Sequence, residues 1–124
     1  MPKTKVIVYQ NKDGSVPLLD WLDDLSTKAR DKCIVKIEML KESGFELRRP
    51  HCDFLGEGIY ELRAKVERVN YRIFYFFHGR NVVIASHGCT KEKKIPKNEI
   101  DRAVRYRLNY IHDPETHTYK GELK

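Results

Sequence analysis

The sequence predicts an α+β fold: an N-terminal strand and a helical hairpin packed on a small, mostly antiparallel sheet, followed by a C-terminal helix. Three observations predict it. Two apolar runs, on either side of the polar pair Glu67-Arg68, alternate with period two as a β-hairpin does. Ahead of them, apolar residues recur at helical spacing in two short segments. Behind them, a third strand-like run leads into one more helical pattern. A chain of 124 residues fits one domain, spanning residues 1–124, and can bury a core without disulfides.

Taken in order, Lys5-Val-Ile-Val-Tyr reads as a strand, and Asn11-Lys-Asp-Gly-Ser as a loop by its turn residues. Pro17 suits the first position of a helix. Leu18, Trp21, Leu22 and Leu25 then share one stripe, with Trp21 read as core rather than as a base-stacking platform. A second helix runs from Thr27 to Ser43, with Ala29, Cys33, Ile37 and Leu40 on its apolar face, and Gly44 ends it. Phe45 to Glu57 has no clear period and is expected to be loop. After the central hairpin, His78-Gly-Arg-Asn is a turn and Val82 to His87 a third strand. Gly88 to Pro96 is then a basic loop holding Lys91, Lys93 and Lys94. Pro96 and Glu99 open a last helix whose apolar stripe is Ile100, Ala103, Val104, Leu108 and Ile111. Arg102, Arg105 and Tyr106 lie off that stripe. Asp113-Pro114 ends it, and residues 113–124 form a polar, flexible tail.

The hairpin register can be worked out. With Glu67 and Arg68 as the loop, Val66 faces Val69, Arg63 faces Arg72, Glu61 faces Phe74 and Lys65 faces Asn70. The opposite face, with Tyr60, Leu62, Ala64, Tyr71, Ile73 and Tyr75, is apolar and predicts core. Two arginines directly opposite each other repel; an anion site has a use for that arrangement. Pairing Arg63 with Glu61 is the plain structural alternative. An even loop before the third strand places His87 on the arginine face.

Charge points the same way. Residues 1–58 hold 10 Lys/Arg and 10 Asp/Glu, whereas residues 59–124 hold 14 and 8. The excess of +6 therefore lies wholly in the half with the hairpin, which suits a polyanion such as nucleic acid. No apolar run is long enough to cross a membrane and no signal segment is recognisable, so a cytoplasmic protein without a membrane partner is expected. Three cysteines, Cys33, Cys52 and Cys89, are expected to be free thiols. His51-Cys52 and His87-Gly88-Cys89 do not have zinc-finger or zinc-ribbon spacing, and no metal or other cofactor is expected.

This set makes a candidate phosphate site. Arg63 and Arg72 would hold a phosphate in their planar forks. Metal-free RNA cleavage uses the 2′-hydroxyl as nucleophile and needs a base, a cationic cradle and an acid. His87, titrating near neutrality and pushed lower by neighbouring guanidiniums, is the candidate base. Lys91 or Lys94 would add charge or a proton. Lys65, Lys93, Arg102 and Arg105 are candidate RNA contacts around it.

The strings that carry these residues resemble the RelE/ParE toxin superfamily, and specifically its HigB-like, phage-derived branch. They are Trp21-Leu22, Gly58-Ile-Tyr-Glu-Leu-Arg63, Tyr71-Arg-Ile-Phe-Tyr75, His87-Gly-Cys-Thr-Lys91 with Lys94 and Pro96, and Glu99-Ile with Ala103, spread over residues 16–112. The resemblance implies a RelE-like fold and the toxin of a type II toxin–antitoxin system. Such a toxin is a ribosome-dependent endoribonuclease that cuts translated mRNA without metal, and it is held by a cognate antitoxin, often a helix-turn-helix protein. By position, Arg63 and Arg72 match the branch's strand arginines, and Lys91 and Lys94 its basic loop. Two strand lysines of RelE are replaced here by Ile59 and Glu61, and its late tyrosine, whose position falls near Ile95-Pro96, is absent. The acid and base therefore do not carry over. The alternatives are a ParE-like toxin that binds gyrase and a nucleic-acid-binding domain without catalysis.

Overall fold

The computed structural model describes residues 4–79, 81–91 and 95–121. Its elements are β1 (Lys5–Tyr9), α1 (Pro17–Asp23), α2 (Thr27–Ser43), a 3-10 turn (Gly44–Glu46), β2 (Cys52–Gly56), β3 (Ile59–Val66), β4 (Val69–Phe77), β5 (Val82–Lys91), α3 (Lys97–His112) and β6 (Thr118–Tyr119). The strands form one sheet in the order β2-β3-β4-β5-β1-β6. Among the described residues, only β1 and β5 run parallel. The α+β class and mostly antiparallel sheet are those the sequence predicts.

The helical hairpin forms where its spacing puts it. Pro17 occupies the first turn of α1, and the Ser26 hydroxyl caps α2 by accepting from the Ala29 N–H at 3.2 Å. Leu18 and Leu22 of α1, and Cys33, Ile37 and Leu40 of α2, pack on Leu62, Ala64, Ile73, Tyr75, Val83 and Ala85 of the sheet. Trp21 lies at the margin of this layer, its indole N–H bonded to Thr90 Oγ1 at 3.0 Å. A Cβ built on Gly88 would stand 2.1 Å from the Trp21 ring, so only glycine lets the indole lie on β5.

The opposite sheet face is covered by α3, but only through part of the stripe the spacing predicts: Ala103 is buried and Val104 packs beside it. Ala103, Tyr106 and Tyr110 are its buried residues, while Leu108 and Ile111 are 63% and 51% exposed. The reason is the surface that α3 meets. Tyr106 stacks on Tyr9 at 4.4 Å, Tyr110 meets Phe76 edge-on, and Ala103 sits in the same cluster. Stacked and edge-on rings pack favourably on one another, and the guanidiniums of Arg102 and Arg105 lie over the Tyr106 ring.

Two strands were not foreseen. Cys52–Gly56, within the expected loop, forms edge strand β2. It joins β3 through a two-residue turn in which Glu57 and Gly58 have φ of +54° and +79°. Five residues of mixed polarity are too few to reveal alternation. Thr118–Tyr119, in the polar segment after α3, pairs with β1, and His117 stacks on Tyr9 at 5.2 Å. The strand beginning at Val82 also runs past His87 to Lys91, so Gly88 to Lys91 belong to β5 and not to a loop.

Candidate nucleic-acid interface

The β3–β4 register is the expected one: Val66 opposite Val69, Arg63 opposite Arg72, Glu61 opposite Phe74. Glu67, first residue of the two-residue loop, takes a φ of +57° to close it. On the α3 side of the sheet, exposure grades along the strands. The row Glu61–Phe74–His87 is buried. The next row, Arg63–Arg72–Cys89, lies at the edge of the helix-covered zone, with the Arg63 side chain 31% and the Arg72 side chain 11% exposed. The last row contains exposed Lys65, half-buried Asn70 and the backbone of Lys91. The arginines thus stand on a ledge where the sheet emerges from beneath α3.

Both guanidiniums are held by one carboxylate. Arg63 donates its Nε–H to Glu61 Oε1 at 2.8 Å, and Arg72 donates from Nη1 to the same oxygen at 2.6 Å. Glu61 is only 2% exposed. This carboxylate offsets the repulsion of two facing arginines. From the neighbouring strand, Asp53 Oδ2 stands 3.6 Å from Arg63 Nη2, and Arg49 forks onto Asp53 with contacts of 2.9 to 3.1 Å. The Arg49 fork holds the Asp53 carboxyl below its usual range. Asp53 and Arg49 are the members of this network that sequence reasoning missed, because they come from β2 and the residues before it. The Glu57-Gly58 turn was the signal that could have found that strand.

His87 shares the sheet face of the arginines by a different route from the expected one. Near the turn, Phe77 pairs with Val83 and Tyr75 with Ala85, leaving an odd loop that would send His87 to the opposite face. A bulge at Ser86 then restores Phe74 opposite His87 and Arg72 opposite Cys89. The Ser86 hydroxyl reaches Phe74 O at 3.2 Å and His87 Nδ1 at 3.1 Å. The imidazole is 1% exposed, lying between Phe74 and the edge of Tyr106. Its Nε2 is 3.5 Å from Glu99 Oε1. Burial first, and then Arg102 and Arg105, push its pKa down to about 3. The direction is the expected one, but its electrostatic part comes from α3 and not from Arg63 and Arg72.

Arg102 and Arg105 are therefore placed beside His87 and Tyr106, with Arg102 Nε donating to the Tyr106 hydroxyl at 2.9 Å. Lys93 and Lys94 lie outside the described residues. The three cysteines form no disulfide and are buried. His51 precedes β2 beside Lys36 Nζ, at 2.9 Å, and Cys52 begins β2, whereas His87 and Cys89 lie on β5; among the described residues no three potential metal donors converge. No described helix is long and apolar enough to cross a membrane.

A family model described as phage derived protein Gp49-like (DUF891) matches residues 20–108. The chain belongs to this family. The Gp49-like family is RelE- and toxin-like, in keeping with the architecture above. The matched span of this Gp49-like protein starts within α1 and ends within α3, so it contains most of the helical hairpin, the β2–β5 meander and the arginine ledge. No curated protein matches the sequence significantly.

Proposed function

We propose that this Gp49-like chain is the toxin of a type II toxin–antitoxin pair and acts as a ribosome-dependent endoribonuclease that cleaves translated mRNA without metal. The observation that carries the reading is the pair of facing guanidiniums on an open ledge, beside exposed Lys65 and the end of β5. In the reaction, the ribose 2′-oxygen attacks phosphorus and the bond to the 5′-oxygen breaks. A 2′,3′-cyclic phosphate and a 5′-hydroxyl result. One proton passes from the 2′-hydroxyl to water at the exposed end of the ledge, and one is supplied to the departing 5′-oxygen. Arg63, the more exposed guanidinium, meets the phosphate and stabilises the charge that grows on it. Arg72 stands behind it. Lys91 and Lys94 are the candidate proton donors. The cognate antitoxin, a helix-turn-helix protein in this reading, and mRNA on the ribosome are the partners, in the cytoplasm.

A second reading, nucleic-acid binding without cleavage, is favoured by the burial of His87, the histidine of this sheet face, under α3. One experiment separates them. Induction of the wild type should arrest growth, and primer extension on a translated message should show cuts within codons. In a reconstituted translation mixture the cuts should persist in EDTA. Arg63→Ala should abolish them. Growth arrest with intact transcripts overturns the nuclease reading, and gyrase-dependent DNA damage in those cells would instead mark a ParE-like toxin.

A further inference from the structure

We infer that Glu61 is a positioning residue of the ledge, and that it tunes the site to a single phosphodiester by trading charge for geometry. The inference rests on the RNA-cleaving reading for its catalytic half, but its binding half stands alone. Glu61 is almost fully buried, on the same side of the sheet as Arg63 and Arg72, and both arginines donate to its Oε1. A carboxylate placed there weakens any attraction for phosphate. For charge alone, a neutral residue would serve better. What the carboxylate supplies is order: two mobile guanidiniums are fixed about one oxygen by charge-assisted bonds.

The charges count the same way. Arg63, Arg72 and Glu61 sum to one positive charge, and the outer pair Arg49–Asp53 sums to zero. One positive charge matches an internal phosphodiester, which carries one negative charge. A terminal phosphate carries more. Exposed Lys65 in the next row adds a second positive charge one step along the strands, which suits a backbone of successive phosphodiesters. Because Glu61 Oε1 already engages Arg63 Nε and Arg72 Nη1, and Asp53 Oδ2 stands 3.6 Å from Arg63 Nη2, the phosphate is met by the outer nitrogens of Arg63, Nη1 foremost, with Glu61 fixing the plane of the guanidinium.

Removing the charge should therefore move binding and cleavage in opposite directions. Glu61→Gln raises the local charge by one and loosens both arginines. Its affinity for a short, uncleavable 2′-O-methyl RNA should rise roughly three- to tenfold at low salt. The slope of log affinity against log salt should steepen by about 0.7. Its cleavage of a message on ribosomes should fall at least about tenfold, since small misplacements of a positioned group are costly. Glu61→Asp keeps the charge and shortens the arm. It should bind the RNA within about twofold of wild type and still cleave about tenfold more slowly. Circular dichroism melts accompany both variants, and the Asp variant decides the matter if the Gln variant does not fold. If either folded variant loses binding and cleavage in parallel, or keeps full cleavage, the positioning role is wrong. If the wild type binds RNA and never cleaves it, the nuclease reading fails, while tighter binding by Glu61→Gln would still identify the carboxylate as the element that limits ledge charge.

Discussion

Lowering the pH should destabilise this protein through His87, and the size of the effect follows from its surroundings. An unfolded histidine titrates near 6.5; in the folded protein this one is pushed to about 3, by burial and then by Arg102 and Arg105. The folded state thus resists taking up a proton that the unfolded state accepts. Stability is full above pH 6.5 and falls as pH drops toward 3, because the unfolded chain binds more protons throughout that window. Each unit is worth about 1.4 kcal/mol, so the loss reaches roughly 2 kcal/mol by pH 5. The Glu99 carboxylate, 3.5 Å from Nε2, favours the charged imidazole and trims that figure. Trp21, the single tryptophan, lies against β5 and reports unfolding by fluorescence. Urea titrations of the wild type and His87→Asn between pH 7 and pH 5 supply the comparison. The variant carries a packing cost at every pH, but lacks the titration. The stability gap between the two proteins should therefore narrow by about 2 kcal/mol on going to pH 5. Parallel curves would refute the reasoning, because they would mean that the imidazole takes up its proton as readily folded as unfolded.

Two further outcomes can be checked simply. Gly88→Ala drives a methyl into the Trp21 ring and should cost at least about 2 kcal/mol, with a red shift of tryptophan emission as the indole is displaced. Cys33 is buried in the helical layer and burial pushes its thiol up to about 12, so iodoacetamide should leave it unmodified in native protein at pH 8 and label it after denaturation, as read by mass spectrometry.

The elements with strong periodicity were legible. The spacing of Ala29, Cys33, Ile37 and Leu40 gave both the span and the inward face of α2, because a helix on a sheet needs one apolar stripe. The β3–β4 register followed from alternation, even though Glu67 must adopt a left-handed backbone to close the turn. The face of α3 was only partly legible. Amphipathic tyrosines count weakly in an aliphatic pattern, yet Tyr106 and Tyr110 fit the aromatic sheet face better than Leu108 and Ile111. In the candidate site, the facing arginines could be read from the hairpin, and Glu61 could be placed on their face. That one oxygen serves both arginines is a matter of side-chain geometry, which alternation does not encode. The contribution of Asp53 and Arg49 was hidden with β2.

The bulge at Ser86 also changes what β5 can lose. Ala85 and His87 are two positions apart, a spacing that ordinarily keeps side chains together, yet they serve opposite layers of the molecule. Ser86 is fully buried at the middle of the sheet, where a missing residue is normally ruinous. It is nonetheless the unpaired member of the ladder: Tyr75 faces Ala85 and Phe74 faces His87 on either side of it. Excising it would leave a regular strand with every other partner unchanged. Shortening β5 anywhere else would turn one layer's side chains toward the other. Ser86 is therefore the position that the β4–β5 ladder could lose and keep its register, and it adjoins a histidine whose protonation the fold opposes.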